Sequence, residues 1–212
     1  MNKLIFNDFL TRIKHNKKNI LVIGDVMLDQ YYFGSIDRIS PEAPVPIFSV
    51  KDIENKLGGA ANVVNNIINF GVKTSIVSSV AKDKSGEILL ELLKQKKITS
   101  NIIFKKNDVT TTKIRSVVGN QQLLRQDFDA KLISLTKLEE SKIINKINKN
   151  ISVVILSDYG KGFLSPTLCK KIISKANKEK IPVLVDPKGS DISKYKNAFA
   201  VTPNKKEALS FT

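Results

Sequence analysis

Leu57-Gly58-Gly59-Ala60-Ala61-Asn62-Val63-Val64 sets two glycines at the start of a helical pattern and an amide side chain four residues after the first of them. Small residues let backbone approach a ligand closely, and a helix start offers free N–H donors and the positive end of a dipole. Many helices that bind nothing also begin after glycine, so the neighbouring segments decide the reading. Upstream, Asn19-Ile20-Leu21-Val22-Ile23-Gly24-Asp25 is an apolar run of strand length, followed by Val26-Met27-Leu28-Asp29, so two carboxylates lie just past a buried strand. Downstream, Ala200-Val201-Thr202-Pro203-Asn204-Lys205-Lys206-Glu207 ends a second strand in an amide and a carboxylate three residues apart. Open α/β sheets bind ligands at the carboxyl ends of their strands, and these three segments fit that plan.

Between them the pattern alternates. It predicts helices over 3–15, 60–70, 85–96, 136–148 and 165–179, and strands over 19–24, 73–80, 151–156, 181–185 and 198–201. That βαβ rhythm defines a layered α/β/α domain with right-handed crossovers. Residues 31–50 and 110–128 break the rhythm: Tyr31-Tyr32-Phe33, Val45 to Val50 and Thr110 to Arg115 read as extended hairpin segments. Pro41 to Pro46 marks a stiff bend there.

Composition excludes several classes. The chain has 212 residues, 42% hydrophobic and 26% charged, which is ordinary globular usage for one domain. Its apolar runs fall far short of the roughly 20 residues that span a bilayer, and the polar start lacks a signal-peptide core, so the expectation is a cytoplasmic protein. Cys169 is the only cysteine, which rules out an internal disulfide and points to a buried helix position. The net charge of +15 arises from 31 lysines and only four arginines, scattered along helices without aromatic interleaving. That distribution argues against a nucleic-acid partner and for compositional bias, with some attraction for small anionic ligands.

Several stretches taken together resemble the ribokinase-like (PfkB) family of carbohydrate kinases: Gly24 to Asp29, Arg38-Ile39-Ser40-Pro41-Glu42-Ala43-Pro44-Val45-Pro46, Gly58 to Asn62, Asn120-Gln121-Gln122-Leu123-Leu124-Arg125, Ser157-Asp158-Tyr159-Gly160-Lys161-Gly162, Val185-Asp186-Pro187-Lys188-Gly189 and Thr202-Pro203-Asn204. Within it they are most similar to the branch that phosphorylates D-glycero-β-D-manno-heptose 7-phosphate for ADP-heptose and lipopolysaccharide core synthesis. The resemblance implies a ribokinase-like α/β/α domain over 1–212. Its lid of small β-sheet comes from about 31–50 and 110–128, covers the sugar and pairs with a second subunit. An edge hairpin of a monomer is the alternative. The implied reaction moves the γ-phosphate of Mg·ATP to the anomeric hydroxyl, giving the 1,7-bisphosphate; another sugar kinase of the fold or a non-catalytic sugar-phosphate-binding protein are the competing readings.

By the same resemblance, Asp29, Gly58, Gly59 and Asn62 grip the sugar and Asp158 adds a polar contact, whereas Asp25 reads as the cap of a turn beside Gly24. One or more of Arg38, Arg115 and Arg125, with Lys113, would bind the sugar phosphate, arginine being suited to bidentate phosphate contact; solvated lid charges are the alternative. No Walker A loop is present. Asn204 and Glu207 match the family's Asn-x-x-Glu element, with Glu207 organising Mg²⁺ through water, and Lys161 and Lys188 are candidate phosphate contacts. Glu207 reads equally as an acid at a helix start. Ser78, Ala81 and Val64 depart from the small residues usual at those places in the family. The family's Gly-Ala-Gly-Asp motif, with its catalytic aspartate, lies beyond the Asn-x-x-Glu element, and the sequence ends at Thr212. The expectation is a fold incomplete at the C-terminus, inactive alone, with a missing C-terminal half or a nucleotidyltransferase as partner.

Overall fold

The computed structural model describes residues 19–106, 108–131 and 135–210. The helix predicted over 3–15, with Arg12 and His15, lies outside the described residues.

Asn19–Gly24 forms β1, whose alternate side chains enter different cores: Val22 packs on one side of the sheet, Leu21 and Ile23 on the other. A strand buried on both faces reads as a continuous apolar run, which is why β1 carries no polar alternation. It pairs in parallel with β4 (Thr74–Ala81) on one side and β8 (Ile151–Ser157) on the other. With β5 (Thr99–Lys105), β9 (Val183–Asp186) and β10 (Ala200–Val201) this makes a six-stranded parallel sheet of order β10-β9-β8-β1-β4-β5. Helices α1 (Ala60–Ile68) and α2 (Lys84–Gln95) pack on the Val22 side through Ala60, Ala61, Val64, Leu89 and Leu93. Helices α3 (Lys137–Ile144) and α4 (Pro166–Lys178) cover the other side through Ile143, Leu168, Cys169, Ile172 and Ile173. The short α5 (Lys205–Ser210) follows β10.

The lid is a second sheet of order β3-β2-β6-β7. Its strands are longer than the sequence indicated: β2 runs Val26–Ile39 and β3 Pro46–Gly59, with β6 (Thr112–Val118) and β7 (Gln121–Phe128) beside them. Because β2 starts directly after Asp25, lid and domain share one continuous chain, and β3 delivers Gly58 and Gly59 to the start of α1. The helix expected over 136–148 ends early at its Asn145 cap, and strand β5 was not anticipated, since Thr99 to Lys105 alternates weakly at a sheet edge. Among the described residues no helix is long and apolar enough to cross a membrane.

Candidate functional site

Strand alternation puts Asp29, Tyr31 and Phe33 on one face of β2. Lys56 pairs opposite Asp29 on β3, and Lys113 lies opposite it on β6. Arg115 lies opposite Tyr31, and β7 places Asp127 beside Lys113 and Arg125 beside Arg115. Four of the candidate residues therefore meet on a single charged face. Arg115 Nη1 donates to Asp29 Oδ1 at 2.7 Å, both side chains being about four-fifths buried (18% and 20% exposed). Arg125 grips Asp127 with two donors at 2.8 and 2.7 Å, and Lys113 joins the same carboxylate at 2.9 Å. The Arg125 guanidinium, and after it Lys113, hold the Asp127 carboxyl down to about 2.

Gly58 lies under this face: a Cβ there would sit 2.4 Å from Asp29 Oδ2 and 2.6 Å from Met27 Cγ. Gly59 takes φ +57 as the residue before α1, a left-handed conformation that glycine adopts without strain. Asp29 and Asn62 line the same cleft of about 670 Å³, along with Tyr31, Lys56, Asn65 and Lys96. Arg38 is not part of the cluster. It sits exposed nine residues along β2 from Asp29, beyond two irregularities of the pairing, roughly 30 Å away at about 3.3 Å per residue.

The first aspartate of the Gly-Asp pair has a different role from a local turn cap. Asp25 is buried, and its carboxylate accepts backbone N–H groups of Tyr159 (2.8 Å), Lys161 (3.2 Å) and Phe163 (3.2 Å), so it fastens the loop after β8 to the end of β1. Burial pushes its carboxyl above the ordinary value, while those amides pull in the other direction. Asp158 is also buried, and its carboxylate is already engaged: Oδ2 takes Lys194 Nζ and Tyr195 Oη at 2.6 Å each, and Oδ1 takes the Gly160 amide at 2.7 Å. That makes it an anchor for the turn Ile192–Tyr195, the carboxylate expected to contact sugar being held by three internal donors.

On the far side, Asn204 and Glu207 cap α5 reciprocally. The Asn204 backbone N–H donates to Glu207 Oε2 at 3.0 Å, and the Glu207 backbone N–H donates to Asn204 Oδ1 at 2.9 Å. Lys188 Nζ completes the group at 3.0 Å from Glu207 Oε1. The Asn204 amide, followed by Lys188, holds the Glu207 carboxyl below its usual value. Asp186, at the end of β9, is a neighbour that the local sequence does not single out. Its carboxyl is raised by burial and then by the Glu207 charge. Lys161 is drawn away from this group: its ammonium pairs with Asp129 at 2.6 Å, just past the end of β7. Cys169 is buried in α4 and burial pushes its thiol up to about 12, as a packing residue requires. Val64 is fully buried against α2 and the sheet, and Ser78 Oγ donates to Gly24 O at 2.6 Å, so both are absorbed into the scaffold.

A six-stranded parallel sheet joined through one continuous chain to a charged four-stranded lid makes a layered α/β domain, and residues 17–212 match the pfkB family carbohydrate kinase model. The chain belongs to this family of carbohydrate kinases. Among curated proteins it is 48% identical over 200 residues to the bifunctional protein HldE of Aliarcobacter butzleri, covering 92% of this chain and 42% of that protein. It is also 43% identical over 194 residues to HldE of Geobacter sulfurreducens, covering 90% and 39%. The chain thus spans about two fifths of the length of these relatives. In fold it is similar to phosphofructokinase-2 from Escherichia coli in complex with potassium (TM-score 0.69, 22% identity, 91% of this chain and 62% of that one). It is likewise similar to Arabidopsis thaliana ribokinase complexed with ribose and ATP (TM-score 0.67, 15% identity, 92% and 62%).

Proposed function

We propose that this chain binds D-glycero-β-D-manno-heptose 7-phosphate and Mg·ATP, as the sugar-kinase part of an enzyme that phosphorylates the anomeric hydroxyl to the 1,7-bisphosphate. The carrying observation is the lid face: Asp29, a hydroxyl acceptor over Gly58, is held by Arg115 next to Lys113 and Arg125. A sugar that already carries phosphate needs that combination, an acceptor for hydroxyls with cations close by. A simple sugar would need only the acceptor. The likeness to the HldE proteins supports the heptose within the class of sugar phosphates.

Asn204, Glu207, Asp186 and Lys188 are the residues offered to the nucleotide. The Asp186 carboxyl is raised by burial and then by the Glu207 charge, and a divalent cation would relieve both; magnesium suits a site of few carboxylates and several waters. Mg²⁺ bound there would neutralise charge on the ATP phosphates. Lys188 is placed to add a second positive charge, and the Asn204–Glu207 cap holds the acidic side chain in position. ATP and a sugar phosphate as substrates imply a cytoplasmic setting. The opposite face of the lid carries Ile53, Leu124 and Phe128, each about half exposed, which supports a homodimer formed through the lid. The nucleotidyltransferase activity expected of a partner belongs outside the residues matched here.

Calorimetric titration of heptose 7-phosphate into the chain, beside fructose 6-phosphate and ribose, tests the reading. Tight binding of the heptose, weakened in Asp29→Asn, is the expected result. Preference for fructose 6-phosphate would move the assignment to another sugar kinase, and absence of binding by a folded chain would overturn it.

A further inference from the structure

The charged face of the lid holds a second pair of residues with a place in the same cleft. Tyr31 follows Asp29 by two positions on β2; Arg115 lies opposite it on β6, and Lys56, opposite Asp29 on β3, is its diagonal neighbour. The Arg115 guanidinium carbon is 5.1 Å from the centre of the Tyr31 ring and Lys56 Nζ is 4.8 Å from it. Phe33 stacks behind, 6.2 Å away with the rings 13° from parallel, and restrains the tyrosine. An aromatic face attracts cations through its quadrupole, and two long side chains resting on one ring lose much of their freedom before any ligand arrives. The other contact of Lys56, to Glu54 at 3.0 Å, is half exposed on both sides and is weak for that reason. Arg115, by contrast, is neutralised by Asp29, and Lys113 and Arg125 share Asp127. Among the cations of the lid face, Lys56 is therefore the one that an incoming anion captures with least competition.

We propose that Tyr31 is a specificity-determining positioning residue, whose ring holds Lys56 and Arg115 on the two sides of Asp29 as a paired cradle for the phosphate of the sugar phosphate. The inference rests on the reading of the site given above and adds Lys56 to its phosphate contacts. A phosphate carries two negative charges near neutral pH and is held best by two cations at a fixed spacing. Without the ring, each would explore its own rotamers and the phosphate would have to order both.

The test is calorimetric titration of heptose 7-phosphate, dephosphorylated heptose and Mg·ATP into the full chain, with Tyr31→Phe, Tyr31→Leu and Lys56→Met beside wild type and a thermal melt of each. Tyr31→Leu and Lys56→Met should each weaken heptose 7-phosphate by about tenfold or more, leave Mg·ATP unchanged and reduce the advantage of the phosphorylated over the dephosphorylated sugar. Tyr31→Phe, which keeps the ring, should bind within about twofold of wild type. Equal affinity in wild type, Tyr31→Leu and Lys56→Met overturns the inference alone, as does a Tyr31→Phe loss equal to that of Tyr31→Leu. Should Tyr31→Leu melt too low to titrate, Lys56→Met decides. A folded wild type that does not bind heptose 7-phosphate overturns the functional reading and this inference with it.

Discussion

Arg115 and Asp29 are 86 residues apart in sequence and 2.7 Å apart in the lid, because the parallel pairing of β2 with β6 sets their side chains on one face. In the absence of ligand each satisfies the other, so the acceptor and the cation proposed for the substrate are held ready without exposing an unpaired charge. In the proposed reading, substrate would exchange one partner for another, hydroxyls for the carboxylate and phosphate for the guanidinium, which would keep the desolvation penalty of binding small.

Removing either member should therefore affect sugar phosphate and nucleotide differently. Arg115→Met leaves Asp29 without its partner in a site about four-fifths buried and should cost about 1–3 kcal/mol of stability. It should raise the dissociation constant for heptose 7-phosphate by about tenfold or more and leave Mg·ATP within about twofold. A double-mutant cycle with Asp29→Asn should show losses that do not add, read by calorimetry; additive losses would mean that the two side chains act on separate parts of the ligand.

Two glycines near the site should separate binding from folding. A Cβ at Gly58 collides with the Asp29 carboxylate and Met27 Cγ, whereas one at Gly24 meets the Ser157 carbonyl oxygen at 2.0 Å, on the backbone of the neighbouring strand. A side chain can turn aside and a strand cannot. Gly58→Ala should keep the fold with a loss of about 1–3 kcal/mol and abolish detectable heptose 7-phosphate binding. Gly24→Ala should lower the melting temperature much further, measured by circular dichroism.

The scaffold was largely legible because it is written in continuous apolar runs. Asn19 to Gly24, Ile151 to Leu156 and the helix at Pro166 each announce themselves through length, periodicity or a Ser-Pro start. The site was legible where a residue's position along one strand mattered and opaque where it depended on cross-strand register. Asp29 and Asn62, each near an element end, line one cleft. Lys56 was passed over because nothing local says that it lies opposite Asp29, which two bulges in the long hairpin help to set. Arg38 was included for the converse reason: sharing a lid with Asp29 does not mean sharing its end of the strand. A carboxylate at a strand end looks available in the sequence, and only the chain near Lys194 and Tyr195, almost 40 residues on, reveals the donors that hold Asp158.

Acid stability should carry two opposed contributions. The Asp127 carboxyl is held down to about 2 by Arg125 and then Lys113, from an ordinary 3.8, so its stabilisation is present above pH 3.8 and is lost as pH falls through the folded value. Asp25 has the opposite sign: burial raises its folded value, so its favourable part is complete below pH 3.8 and disappears as pH rises through that raised value. Urea midpoints measured against pH should fall less steeply below pH 3.8 in Asp127→Asn than in wild type. An unchanged acid limb in that variant would place the lid's ion pairs outside the stability of the folded chain.

Glu207 should report on the nucleotide side alone. Its two oxygens meet the Asn204 amide and Lys188, so Glu207→Gln keeps the shape of the cap while removing the charge. Weaker dependence of ATP binding on Mg²⁺ is the expected outcome, with heptose 7-phosphate affinity unchanged, in a calorimetric titration repeated across magnesium concentrations. Equal weakening of both ligands would show that the loss is one of folding.

Asp158→Asn makes the complementary case, because the geometry assigns this residue to the scaffold. Its carboxylate accepts from Lys194, Tyr195 and the Gly160 amide with almost no exposure, and Tyr195 in turn receives the Lys188 amide at 3.4 Å. The phenol of Tyr195 is raised well above its ordinary value by burial and by this carboxylate, which fixes it as the donor in the pair. An amide at 158 can accept from only one of its two heavy atoms, so at least one of the three donors loses its partner, and the Lys194 charge is left uncompensated in a buried place. The expected loss is about 1–3 kcal/mol or more, with Tyr195→Phe at the low end because it removes a donor and leaves the Lys194 pair intact. Sugar-phosphate affinity should stay within about twofold of wild type in every variant that remains folded. A large drop in affinity with an unchanged melting temperature would return Asp158 to the sugar site, where its position at a strand end first placed it.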